Sequence, residues 1–265
     1  MKYPLLLLTT IVFLFSCQKE IEFDPLDPVP PADSCRIHTS YFYGGGGVND
    51  SAVYVYENGI LTRLEGSEAI VKYFYAGNFI RAMEYTSTFS NEVYRIDTFD
   101  FANGLLSRVR THEYDFFWND SIYSDLVFQY NGTKLSRITR VDSLLNVAGY
   151  NDTLYSDFVY TGENITAMYM SDNMGVFDSI FYAYNNDLNY FNPVSRYFYL
   201  ADPFFRIHVG FEPHVPYFLS RNNVINFTIY DGEDYPISYQ LDSLNRPLLV
   251  SQGGFEYMGY KYECP

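Results

Sequence analysis

The chain has 265 residues, 28 of them Tyr and 23 Phe, and 32 acidic against 17 basic residues give a net charge of −15. With 18% charged and 48% apolar residues it is no disordered tail, and it is long enough to bury a sizeable core. The acidic balance argues against nucleic acid, whose phosphates call for a basic face, and three cysteines exclude a disulfide-dense miniprotein.

Residues 1–16 read as a lipoprotein signal peptide. Lys2 precedes an apolar run from Leu5 to Phe15. That run is too short for a membrane span, which takes about 20 apolar residues. It ends in Leu14-Phe15-Ser16-Cys17, which resembles the bacterial lipobox and makes Cys17 the residue to be lipidated. Residues 17–34 are then a tether. Four prolines and five acidic residues keep Gln18 to Ser34 extended, with a reach on the order of 50 Å at about 3.1 Å per residue. Cys17-Gln18-Lys19-Glu20 looks like the export signals of Bacteroidota surface lipoproteins. The expected location is the outer membrane, at the cell surface or the periplasmic face, with the lipid anchor as the only membrane contact.

The folded domain is expected over residues 35–265, with Cys35 and Cys264 at its two ends. An oxidising compartment and an even cysteine count allow a bridge between them, and two free buried thiols are the alternative.

From Ile37 onward, short β-rich runs alternate with Asn, Asp and Gly turns, and no helical period persists. Residues 119–128 and 151–160 share six of ten positions at an offset of 32, which marks a repeat. Each unit is an aromatic strand, a Gly turn and a second strand. Tyr54-Val55-Tyr56-Glu57-Asn58-Gly59 is the first; its counterparts turn at Gly77, Gly104, Gly132 and Gly162. After the turns come Leu61-Thr62-Arg63-Leu64, Phe79-Ile80-Arg81-Ala82, Leu106-Ser107-Arg108-Val109, Leu135-Ser136-Arg137-Ile138 and Ile165-Thr166-Ala167-Met168. Asn-Gly between such runs is a strong hairpin signal, because a type I′ turn needs φ > 0 at both central residues. Strands over 180–184 and 225–230 continue the series, and Asn185 to Asn223, interrupted by prolines, is the least regular region.

This pattern resembles the uncharacterised hairpin-repeat, YD-like lipoproteins of Bacteroidota, with their Tyr-x-Tyr-x-x-Gly-x-Leu units. The resemblance covers most of residues 50–262. It implies an extracytoplasmic antiparallel β architecture and no activity. The fold expected is one all-β domain, an antiparallel meander of repeated hairpins in a curved or partly rolled sheet. A β-propeller fits less well, because Gly-turn spacings of 18, 27, 28 and 30 residues fall short of blades of about 40–45. Counting outward from the turns pairs Arg63 with Tyr54, Arg81 with Phe74, Arg108 with Phe99 and Arg137 with Phe128. That register predicts an Arg–aromatic ladder on one face of the sheet.

Chemistry is sparse. His38, His112, His208 and His214 stand in no metal-ligand spacing, and no nucleophile elbow or Walker loop occurs. Gly44 to Gly47 lead into a strand and not a helix, so they read as a loop and not a phosphate cradle. Asp231-Gly232-Glu233-Asp234 lacks the EF-hand spacing and reads as a hairpin turn. Six Asp-Ser or Asp-Thr pairs followed by a small or aliphatic residue, such as Asp50-Ser51-Ala52 and Asp178-Ser179-Ile180, look like Bacteroidota O-glycosylation sequons and suit turn openings better still. No catalytic, cofactor or metal residue is singled out, and no cofactor is expected. The function expected is a lipid-anchored extracytoplasmic binding or scaffold module for a glycan or a protein partner. The rival is a glycoside hydrolase-like enzyme whose carboxylates meet only in the fold, in the 185–223 region.

Overall fold

The computed structural model describes residues 35–44, 47–77, 79–115, 120–144, 151–189 and 219–264. Among these residues, sixteen strands follow one another in chain order. The first six are β1 (Arg36–Gly44), β2 (Gly47–Glu57), β3 (Ile60–Gly66), β4 (Ala69–Ala76), β5 (Phe79–Ser87) and β6 (Val93–Ala102). Then come β7 (Leu105–Asp115), β8 (Asp120–Asn131), β9 (Lys134–Leu144), β10 (Asn151–Thr161), β11 (Asn164–Asp172) and β12 (Gly175–Leu188). The last four are β13 (Asn222–Ile229), β14 (Asp234–Leu241), β15 (Pro247–Gln252) and β16 (Phe255–Glu263). Each strand pairs antiparallel with its sequence neighbours, and β1 pairs with β16, so the meander closes into a barrel. The all-β antiparallel meander is as expected; the rolling is complete rather than partial. One continuous closed sheet also rules out propeller blades. Closure leaves no open sheet edge among the described strands.

The barrel has two unlike rims. At the first lie both ends of the folded chain, the Asn58-Gly59, Asn103-Gly104 and Gly77, Gly132 and Gly162 turns, and the connection from β12 to β13. At the second lie the connections β1/β2, β3/β4, β5/β6, β11/β12, β13/β14 and β15/β16, among others. The tight turns form where the sequence places them. Asn58 and Gly59 have φ of 52° and 81°, and Asn103 and Gly104 have 53° and 75°, the left-handed pair a type I′ turn requires.

The expected register fails two residues beyond each turn. Tyr56 pairs with Leu61, but Val55 then pairs with Arg63, so Thr62 is an extra residue. The same bulge recurs at Arg81, Ser107, Ser136 and Thr166. Four of the five bulged residues carry a hydroxyl that donates to the carbonyl across the ladder: Thr62 to Val55 (3.3 Å), Ser107 to Asp100 (3.0 Å), Ser136 to Gln129 (3.0 Å) and Thr166 to Val159 (3.4 Å). A bulge disrupts ladder bonding locally, and the hydroxyl supplies a replacement donor.

Each bulge shifts the alternation by one residue. Leu61 and Leu64, Ile80 and Met83, Leu106 and Val109, Leu135 and Ile138, and Ile165 and Met168 are therefore all buried inside, three apart rather than two. The Arg–aromatic ladder does not form. Tyr54, Phe99 and Phe128 face the core, while Arg63, Arg108 and Arg137 stand on the outer wall opposite Val55, Asp100 and Gln129. Arg81 reaches the ring of Phe101 (5.8 Å) rather than Phe74.

The repeated aromatics therefore build the interior. The first ring of four units, Tyr54, Phe99, Phe128 and Phe158, fills the core, whereas in the unit turning at Gly77 Phe74 is exposed and Tyr73 takes the inner place. The second is often a tyrosine whose hydroxyl donates to a backbone carbonyl of a neighbouring strand. Tyr56 bonds Ile37 (3.1 Å), Tyr75 bonds Leu61 (2.7 Å), Tyr239 bonds Val224 (2.9 Å), Tyr262 bonds Pro247 (2.8 Å), and Tyr184 bonds Ile165. Near the seam, Cys35 and Cys264 are joined by a disulfide one residue outside the terminal β1–β16 pair, Arg36 and Glu263.

Candidate functional site

The inner face changes character along the barrel. Toward the first rim it is apolar, lined by Leu61, Ile80, Leu106, Leu135 and Ile165. Toward the second rim, from β5 to β9, it becomes polar. Register places Asp97, Thr111, Ser124 and Asp142 side by side in one row across β6, β7, β8 and β9. Two Arg-x-Asp segments, Arg95-Ile96-Asp97 and Arg140-Val141-Asp142, put each arginine on the same face as its aspartate, because side chains alternate along a strand.

Asp97 is fully buried and accepts from three groups: the Tyr85 hydroxyl (2.8 Å), the Thr111 hydroxyl (2.6 Å) and Arg95 Nε (3.2 Å). Arg95 also donates through Nη1 to Glu113 (3.3 Å), and its guanidinium lies 5.0 Å from the Tyr85 ring centre. Burial by itself would lower the Arg95 guanidinium, but the adjacent Asp97 carboxylate outweighs it and holds the group above its ordinary value. The second pair is wetter. Arg140 Nε meets Asp142 at 2.7 Å, and Asp142 accepts the Ser124 hydroxyl. The Arg-x-Asp spacing is visible in the sequence, but nothing local marks Arg95, Asp97, Arg140 and Asp142 as one cluster.

Asp97 and Asp142 each lie against the arginine of their own segment, Arg95 and Arg140. The belt locks β5 to β9 in register and gives the second rim a charged mouth.

The outer wall carries the other ion pairs. Arg137 grips Asp157 through two bonds (2.6 and 2.7 Å), Arg108 pairs with Asp125, Arg110 with Asp100, and Lys72 with Glu84 (3.5 Å). A barrel that crosses a bilayer by its strands shows lipid an apolar band about 25 Å tall and keeps polar groups inside. Here the wall from β4 to β10 has charges at mid-strand and the inside holds the apolar core.

Cys17 and the tether lie outside the described residues, as do His208, His214 and most of the 185–223 region. His38 and His112 are exposed; His112 stacks on Tyr123 with ring centres 4.6 Å apart. Among the described residues no group of three His, Cys, Asp or Glu is arranged to hold a metal. Asp231 and Asp234 shape the β13/β14 turn: Asp231 accepts from the Glu233 amide (3.1 Å) and Asp234 from the Thr228 hydroxyl (2.5 Å). In two of the Asp-Ser pairs, Asp50 and Asp178 accept the amide of the next residue at 2.7 Å, and Ser179 is buried.

No family model matches the sequence, and no curated protein matches it. Among solved structures the chain is similar to a porin-like protein from Bacteroides vulgatus ATCC 8482, with a TM-score of 0.54 at 13% identity over 87% of this chain and 99% of that one. It is similar to a porin-like protein from Bacteroides uniformis ATCC 8492 as well, with a TM-score of 0.52 at 12% identity over 86% and 96% of the two chains. At such identities the likeness is one of fold.

Proposed function

We propose that the protein is a lipid-anchored module of the outer membrane whose barrel stands outside the bilayer and serves as a binding or scaffold domain. The observation that carries this reading is the inverted wall: ion pairs such as Arg137–Asp157 outside and an apolar core inside. Burying those charges against lipid would cost about 2–4 kcal/mol for each cation near the midplane. The lipobox-like Leu14-Phe15-Ser16-Cys17 and the acidic, proline-rich tether supply the attachment. Because β1 starts at the first rim, the tether enters there and the second rim is turned away from it.

Membrane fractionation tests this. Wild-type protein should pellet with membranes and carry an acylated Cys17 by mass spectrometry. Cys17→Ala should leave a folded, soluble barrel. If the variant stays in the membrane after carbonate extraction, the strands themselves span the bilayer and the reading is wrong.

A further inference from the structure

The outer wall changes character past β10. Met168, Ile180, Tyr182 and Phe227 belong to the core. Alternation therefore puts Ala167, Tyr169, Ser179, Phe181 and Thr228 on the outside of β11, β12 and β13. In the middle of these three strands no outward side chain is charged, unlike the wall from β4 to β10. Instead they carry rings. Phe181 is 45% exposed, and its ring meets that of Tyr169 edge to face with centres 6.1 Å apart. Phe177, 53% exposed, precedes them on β12. Ser179 lies opposite Tyr169 and between Phe177 and Phe181 along its strand; it points outward and is nonetheless buried. The rings thus crowd over one spot of the sheet.

Register borders this strip with hydrogen-bonding groups on both sides. Asp157 stands directly opposite Tyr169, and it is gripped by Arg137. Thr228 stands directly opposite Phe181, and Asp234 is next in the same row. Asp234 Oδ1 accepts the Thr228 hydroxyl (2.5 Å) and the Asn226 side-chain amide (3.2 Å). Those two bonds hold its carboxyl below the ordinary value, so at neutral pH it is an acceptor.

Size and chemistry select the occupant. From β10 to β14 the site is about 20 Å wide and about 14 Å tall, on the order of 300 Å². A stable protein interface takes about 800 Å² from each partner, and a bilayer needs an apolar band about 25 Å tall. The site is too small for the first, and its polar borders interrupt the second. Apolar rings flanked by a few placed polar groups suit a small ligand whose own faces are apolar and whose rim is hydroxylated. A sugar is such a ligand. The bordering cation, Arg137, already holds a carboxylate through two bonds, which leaves an anionic sugar without a counter-charge.

We infer that Tyr169 and Phe181, bordered by Thr228, Asn226 and Asp234, form a binding site for an uncharged oligosaccharide on the outer wall of the barrel. The inference rests on the barrel standing outside the bilayer and adds the class of ligand it binds. The test is calorimetry on purified mature protein with maltohexaose, cellohexaose and xylohexaose as uncharged probes, oligogalacturonate as an anionic one and phosphatidylcholine vesicles as a lipid one. At least one uncharged probe should bind, and the other two classes should not. Phe181→Ala and Tyr169→Ala should each weaken binding about fivefold to tenfold, whereas Tyr169→Phe keeps the ring and should retain it. Asp234→Asn should weaken binding as well. Tyr123→Ala, which removes an exposed ring elsewhere on the wall, should change nothing. Circular dichroism should show the same β content in every variant. No binding of any uncharged probe, equal binding by the Phe181→Ala protein, stronger binding of oligogalacturonate, or adsorption to vesicles would each overturn the inference. Failure to bind sugar while Cys17→Ala is released from membranes overturns this inference alone; a variant that stays in the membrane overturns the reading beneath it.

Discussion

Tyr75 donates its hydroxyl to the carbonyl of Leu61 at 2.7 Å, tying β4 to the residue just past the turn of the preceding hairpin. Tyr239 to Val224 and Tyr262 to Pro247 are the same kind of link. In β6 the corresponding residue is Phe101, which packs on Phe79 (4.8 Å) instead. Tyr75→Phe keeps the ring and deletes the link. It should cost about 0.5–1.5 kcal/mol in urea unfolding. A loss indistinguishable from zero would show that water replaces the bond.

Burial also raises the Tyr75 hydroxyl to about 12 and raises those of Tyr182, Tyr184 and Tyr239. A group whose pKa is raised on folding stabilises fully below its unfolded value, near 10 for Tyr. That contribution is lost as pH climbs from about 10 through the folded value. The barrel should therefore be insensitive to pH near neutrality on this account and unfold cooperatively above about 10. Tyrosinate absorbance should lag in the native protein and appear together with loss of β circular dichroism. Early titration of all 28 tyrosines without unfolding would contradict the buried assignment.

Ser136 is the extra residue of its bulge, so deleting it would leave Leu135 opposite Tyr130, Arg137 opposite Gln129 and Ile138 opposite Phe128 on their present faces and remove only the local twist. Ser136→Ala should cost about 0.5–1.5 kcal/mol in urea unfolding, and the deletion should still fold cooperatively. Loss of cooperative folding in the deletion would mean that the bulge's twist is needed to close the ring.

Asp97→Ala would remove the buried carboxylate from Arg95 Nε while Glu113 stays on Nη1, at up to about 3–5 kcal/mol. Arg95→Met combined with Asp97→Leu removes both charges and should be much milder. A double variant as unstable as the single one would show that shape rather than charge pairing holds this site.

The Cys35–Cys264 bridge closes nearly the whole folded chain, with the two cysteines 229 residues apart in sequence. In the chain-entropy model such a loop stabilises by roughly 4–5 kcal/mol. Replacing both cysteines by Ser should lower the melting temperature markedly and fray the β1–β16 seam first, visible as fast amide exchange in Arg36 to Phe42. Unchanged exchange there would mean that strand pairing alone holds the seam.

The turns were legible because their chemistry is local. Asn58-Gly59 and Asn103-Gly104 need only the φ freedom of their own two residues. The bulges were legible in principle: the spacing of three from Leu61 to Leu64, repeated in each unit, cannot lie on one face of a regular strand. Assuming an unbroken period of two hid it and produced the Arg–aromatic ladder. Most of the polar belt was out of reach, since Asp97, Thr111, Ser124 and Asp142 come from four strands aligned only by register. Ring closure likewise depends on Arg36 meeting Glu263, a pairing between the chain ends that no local pattern encodes. Local steric and hydrogen-bonding preferences thus wrote hairpins, turns and repeat into the sequence. Which residues line the inside of the ring and where the sheet ends meet were decided by long-range packing, where burial of Leu64, Met83, Ile138 and Met168 inside a closed ring outweighs any single strand's preference.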